Sequence, residues 1–230
     1  MANMQLRADY LHHEHIYAAN PAASGWNLPS VDREILAYVE ELLHEARVLP
    51  PARILELGCG MGNLAIPLAC SGFEVVGIDI SMTAIAAANK RAVAAGSSAR
   101  FKVGDITSAQ AYSSSEKFNC VVDGLCWHCI VGEDRRMMLD LVRHVLEPNG
   151  SFLVITMCGD PCGSKLRDRF DPRSRCITDG DVAQRYLGQP EELSIELSEA
   201  GFQVIYHRVV DGSPISEDQD MLLAVAMIGE

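Results

Sequence analysis

The chain has 230 residues, 48% of them hydrophobic and 22% charged, which suits one folded domain of ordinary size. Nineteen basic against 31 acidic residues give a net charge of −12, a poor start for gripping a polyanion, so a nucleic-acid partner is disfavoured. The apolar runs are too short for a bilayer and no secretion signal is legible, so a cytoplasmic location is expected, with the eight cysteines as free thiols.

Residues 1–29 are mixed, with turn formers at Asn20-Pro21 and Ser24-Gly25, and the cluster His12, His13, His15 reads as a solvated segment. The stretch around Tyr10 and Trp26-Asn27 is a candidate lid. Ser30 is placed to cap a helix whose apolar positions Ile35, Leu36, Val39, Leu42, Leu43 and Ala46 follow helical spacing, and Pro50-Pro51 ends it. Strands are expected at Arg53–Leu57 and Glu74–Ile78, with a glycine turn at Gly58–Gly62 that opens a helix running to about Cys70. An alanine-rich helix follows, capped by Ser81.

Ala99–Val103 and Phe118–Val122 read as strands three and four. Met138, Leu141, Val142, Val145 and Leu146 mark a helix face that stops at Pro148-Asn149-Gly150, and Ser151–Thr156 is a fifth strand. Residues 157–189, with five arginines and few apolar positions, break the rhythm and read as an inserted loop. A helix then runs from Pro190 to Gly201. Phe202–Val210 and Met221–Ile228 close the chain as an antiparallel hairpin. Strands alternating with helices imply a largely parallel sheet with helices on both faces.

A strand running into Gly58-x-Gly60-x-Gly62 and then a helix is a ligand-binding device. Glycines permit a tight turn and close backbone approach, and the helix start offers free N–H groups. A nicotinamide dehydrogenase wants its last glycine where this chain has Asn63, and Glu56 stands where it would repel a pyrophosphate but attract an ammonium and a sulfonium. Asp79, closing the second strand, can accept hydrogen bonds from a ribose diol in either case.

With Glu56-Leu-Gly-Cys-Gly-Met-Gly62, Val75-Val-Gly-Ile-Asp79-Ile-Ser81, Gly104-Asp105-Ile106, Phe118-Asn-Cys-Val-Val-Asp123-Gly124 and Leu146-Glu-Pro-Asn-Gly-Ser-Phe-Leu153 in order, the chain resembles the class I S-adenosylmethionine-dependent methyltransferases. The resemblance implies a Rossmann-like three-layer α/β sandwich whose seven-stranded sheet is mostly parallel with an antiparallel last strand. It also implies that Gly58, Gly60 and Gly62 approach the methionine part of S-adenosyl-L-methionine while Glu56 holds its amino group. By the same resemblance Asp79 takes the ribose, Ile80 and Ile106 flank the adenine, Asp105 accepts from its amino group, and Asp123 faces the transferred methyl.

Methyl transfer from a sulfonium asks the protein chiefly to align the nucleophile and exclude water, and a base is needed only for a protonated acceptor. His128 is the candidate base, beside Asp123, and Trp127 is a candidate wall of the substrate pocket. Arg173 and Arg175, in an insertion that also holds Arg167, Arg169 and Arg185, are candidates to grip a substrate carboxylate. Asp123-Gly-Leu-Cys differs from the Asn/Asp-Pro-Pro-aromatic pattern of base and glutamine methyltransferases, and Met157-Cys-Gly-Asp160 offers one carboxylate rather than a magnesium pair. A small-molecule acceptor is therefore expected, with no metal and no membrane partner.

Cys126 and Cys129, after strand four, and Cys158 and Cys162, after strand five, leave a thiol or metalloid acceptor as an alternative. A nicotinamide oxidoreductase and a non-catalytic cofactor-binding protein are the alternatives from other classes. The expected organisation is a single methyltransferase domain. It divides into an N-terminal cap at 1–50, a cofactor-binding core at 51–156, a substrate-side insertion at 157–189, and a C-terminal helix and hairpin at 190–230.

Overall fold

Strands buried on both faces should alternate side chains between two separate cores, and the central strands do. The computed structural model describes residues 7–19, 29–113, 115–161, 163–211 and 219–229. Its chain starts with β1 (Arg7–Ala8), α1 (His12–Ala19) and α2 (Pro29–Glu45). Then come β2 (Arg53–Leu57), α3 (Ala65–Cys70), β3 (Glu74–Asp79), α4 (Met82–Ala95), β4 (Arg100–Val103) and β5 (Phe118–Gly124). The next elements are α5 (Asp134–Val145), β6 (Leu146–Cys158), α6 (Ser164–Arg167), β7 (Phe170–Asp171), β8 (Cys176–Asp179) and β9 (Val182–Tyr186). The chain finishes with α7 (Pro190–Glu199), β10 (Phe202–Val210) and β11 (Asp220–Ile228).

Seven strands form one sheet in the order β10-β11-β6-β5-β2-β3-β4. Neighbours from β6 to β4 are parallel, and β11 runs antiparallel to both β6 and β10, as expected of the Rossmann-like methyltransferase fold. Along β6, Phe152 and Val154 enter one core with Leu139 and Val142 of α5 and Leu193 and Leu197 of α7. Leu153 and Ile155 enter the other, with Val39 and Leu42 of α2 and Leu68 of α3. The sheet is thus the middle of three layers. Among the described residues no helix is long and apolar enough to cross a membrane.

Local departures from expectation have local causes. Helix α2 starts at Pro29, so Ser30 lies inside its first turn, where a proline loses no useful N–H. Ser81 does cap α4, its hydroxyl accepting from the Ala84 N–H at 3.0 Å. Helix α5 ends at Val145 and β6 takes up Pro148-Asn149-Gly150 where its pairing with β5 is irregular, between Phe118 and Cys120.

The insertion is not a bare loop. Strands β7, β8 and β9 form a small antiparallel sheet, and β1 joins its edge parallel to β9, with Arg7 opposite Val182 and Ala8 opposite Ala183. Its few apolar positions feed two small cores, one with Met157, Ile177 and Leu187 and the other with Val131, Cys176 and Ala183.

Arg135 of α5 joins α7 to the insertion. Buried to 6% side-chain exposure, it forms a two-pronged ion pair with Glu196 of α7 at 2.8 Å and lies 4.3 Å from the ring centroids of both Trp127 and Tyr186. It also donates to the carbonyls of Trp127 (2.9 Å) and Ile130 (3.0 Å). Removing the buried partner strands the other charge and two carbonyls, so Arg135→Met is expected to cost about 3 kcal/mol. Glu196→Gln, at the more open end, is expected to cost about 1 kcal/mol. Urea titration checks both as falls in midpoint at unchanged slope.

Candidate active site

The loop after β2 takes its shape from left-handed backbone that glycine alone adopts freely, with φ of 60° at Gly58, 51° at Gly60 and 78° at Gly62. A Cβ on Gly60 would stand 2.6 Å from the Tyr17 hydroxyl. On Gly62 it would instead strike the Phe101 ring at 2.8 Å, so Gly62 serves packing beneath the loop. From the end of β3, Asp79 accepts the Gly60 N–H with one oxygen and the Ser81 N–H with the other, each at 2.8 Å.

These elements wall a cavity of about 290 Å³. Of the residues expected to bind cofactor, Glu56, Gly58, Gly60, Asp79, Ile80, Asp105 and Ile106 line it, and so does His128. Glu56 is 3% exposed; one oxygen has no partner among the described residues, and burial drives its carboxyl up to about 8 against the Ala65 N–H that favours ionisation. Burial likewise raises Asp79. Asp105 accepts from the N–H and hydroxyl of Thr107 at 2.9 and 2.7 Å, which fixes its direction after β4.

Beyond β5 the chain makes one 3-10 turn, Trp127–Cys129. The buried Asp123 accepts from the N–H groups of Cys126 (2.9 Å) and Trp127 (2.7 Å), while Arg135 holds the carbonyl side. His128 is thereby fixed at the cavity with its Nδ1 unpartnered among the described residues. It hydrogen-bonds Cys129; burial raises that thiol, but His128 and Arg185 outweigh it and the net shift is downward.

Several expected residues stand elsewhere. Asp123 and Trp127 do not line the cavity; both are wholly buried, the aspartate as a cap on the turn, with its carboxyl pushed up to about 7 by burial, and the tryptophan as core. Gly62 is also outside the lining. Arg173 points to solvent, and Arg175 is spent on the Leu187 carbonyl, Asp160 and Glu192. The arginine that reaches the cavity is Arg185.

The thiols do not gather in fours. Cys126 and Cys129 line the cavity, Cys158 is buried in the core, and Cys162 lies outside the described residues. Among the described residues no three side chains are grouped to hold a metal.

The candidate lid is helix α1, and Trp26-Asn27 fall outside the described residues. Tyr17, buried with Met61 and Ala84, was missed in the sequence, as was the place of His13 on the cavity wall. Glu14 accepts from the hydroxyls of Ser81 and Thr83 and from the Thr83 N–H, pinning α1 on the start of α4, and these bonds lower its carboxyl. Tyr10 donates to Asp134 at 2.7 Å.

The cavity suits S-adenosylmethionine on its own chemistry. A buried Glu56 carboxyl oxygen without a donor among the described residues matches an ammonium, three acids in one cleft favour a cation over a pyrophosphate, and Ile80 and Ile106 offer apolar surface to a base.

Comparison with known proteins agrees. Residues 54–150 match a family model described as a methyltransferase domain. A ubiquinone biosynthesis O-methyltransferase of Azorhizobium caulinodans is 28% identical over 199 residues, 82% of this chain and 72% of that protein. The protein of that name from Rickettsia akari is 33% identical over 126 residues, 53% of this chain and only 47% of the relative. The structure of Burkholderia thailandensis 1,6-didemethyltoxoflavin-N1-methyltransferase, with its substrate and S-adenosylhomocysteine, superposes with a TM-score of 0.71 at 16% identity. It covers 97% of this chain and 92% of that one.

Carboxyls raised on folding keep their protons longer in the native state, so they withdraw stability as pH rises from the ordinary value to the raised one. For Glu56 that window runs from 4.5 to about 8, and for Asp123 from 3.8 to about 7. Urea titration of the ligand-free protein is expected to show stability falling between about pH 5 and about pH 8. Glu56→Gln should remove its share, at most about 1.4 kcal/mol per pH unit.

Proposed function

We propose, from the premise that residues 54–150 form the methyltransferase domain of an S-adenosylmethionine-dependent enzyme, that this chain methylates an oxygen of a small-molecule acceptor, with His128 receiving the acceptor's proton. What carries the reading is one cavity lined by both His128 and Glu56, whose buried carboxyl keeps an oxygen without a partner among the described residues. The choice of oxygen draws on relatives named as O-methyltransferases.

When bound, the cofactor supplies a methyl group already activated on sulfur. The chain's own residues then have four tasks. Glu56 would take up the cofactor's ammonium as its acid gives up its proton, and the Gly58 and Gly60 backbone would lie along the methionine part, with Cys126 and Tyr17 filling the space a Cβ would need. Asp79 spends two oxygens on the loop and keeps lone pairs for ribose hydroxyls. Ile80 and Ile106 would offer apolar surface to the adenine, Asp105 would accept from its amino group, and α1 with Tyr17 would keep water from the loop.

At the acceptor, the hydroxyl proton moves to the His128 imidazole as the oxygen attacks, so the charge that builds on oxygen is relieved where it forms. Asp123, Arg135 and Trp127 act one layer back by holding the turn that presents this histidine. Acids around the cofactor and the net charge of −12 favour a small acceptor over a polyanion.

Assay of S-adenosylhomocysteine release over phenols, amines, thiols and carboxylic acids tests the acceptor atom; turnover confined to amines or thiols would sink the oxygen assignment. His128→Ala is expected to lower kcat by about 10²–10⁴-fold with cofactor affinity unchanged. Calorimetry of cofactor binding in buffers of different ionisation enthalpy is expected to show proton release below about pH 8 that Glu56→Gln removes.

A further inference from the structure

We propose that the acceptor carries a carboxylate besides its methylated group, and that Arg185 holds that carboxylate inside the cleft. The proposal rests on the methyltransferase reading and names the class of acceptor.

Strand β9 carries Arg185 opposite Ile177 of β8 and brings it to the cavity wall, half-buried. Its neighbours in the insertion are engaged or in water. Arg169 donates to the Thr178 carbonyl and Gln184, Arg175 is held by Asp160, Glu192 and Leu187, and Arg167 and Arg173 are exposed. The nearby Arg135 is matched by Glu196. No ion pair or side-chain hydrogen bond among the described residues takes in Arg185, although acids crowd the same cavity at Glu56, Asp79 and Asp105. Its charge falls instead on His12 and Cys129.

A guanidinium partly withdrawn from water gains from an anion, and its planar fork fits a carboxylate with two parallel hydrogen bonds. Cofactor and acceptor would thus meet opposite signs in one cleft. An anionic acceptor is repelled from the acids and drawn to Arg185, which orients it with its hydroxyl free for His128.

The test uses matched probes, 4-hydroxybenzoate against phenol and 3,4-dihydroxybenzoate against catechol. Each is titrated calorimetrically into the protein with and without S-adenosylhomocysteine. The acid of each pair is expected to bind at least about tenfold more tightly than its neutral parent. Arg185→Gln should erase the difference and Arg185→Lys restore part of it, with S-adenosylhomocysteine affinity unchanged. Equal binding of acid and parent overturns the proposal, and so does a preference that survives Arg185→Gln. If Arg185→Gln only shifts the pH profile of Cys129 alkylation, the arginine serves that thiolate and the proposal is again overturned. Carboxylate binding that depends on Arg185, with no methyl transferred to any acceptor, would sustain this site and reject the function proposed above.

Discussion

The carboxylate of Asp79 accepts one N–H from Gly60 and one from Ser81, so a single side chain at the end of β3 ties the glycine loop to the start of α4. Everything around the cleft is registered on that tie. Ser81 caps α4 and donates to Glu14, Glu14 fixes α1, and α1 returns Tyr17 to Gly60, where the circuit began. Loop, helix start and roof are set by a run of hydrogen bonds closed by the packing of Tyr17 over Gly60, and the parallel pairing of β2 with β3 keeps their ends level.

Part of the cost of that arrangement lies where the ligand goes. Glu56 is buried as an acid at the cavity wall, and polar atoms of Glu56 and His128 lack partners among the described residues. In a core chosen only for stability such groups would be apolar. The sheet and its two apolar layers carry the fold, which lets the cleft remain short of donors and counter-charges until a ligand brings them.

Much of this was legible in the sequence because it is written locally. Apolar runs, Ser81 as a cap and a strand ending in glycines depend on neighbours a few residues away, and they located the sheet and the residues from Glu56 to Ile106. What was not legible turns on side-chain direction, which spacing does not show. Trp127 reads as a pocket wall, yet it is wholly buried with the Arg135 guanidinium over its ring. Asp123 turns one oxygen to two N–H groups of its own turn and leaves the other without a partner among the described residues, buried behind the cleft rather than in it. Among five arginines in one insertion, only the bulged pairing of β8 with β9 decides which side chain points inward, and spacing alone cannot show that Arg175 is already taken.

The short strand β1 has a further consequence. It is hydrogen-bonded to β9, the strand that carries Arg185, and it leads within a few residues to α1, which carries Tyr17. The helix that roofs the glycine loop and the strand that brings Arg185 to the cavity are therefore anchored to one another, and a change that displaces α1 strains the β1–β9 pairing as well.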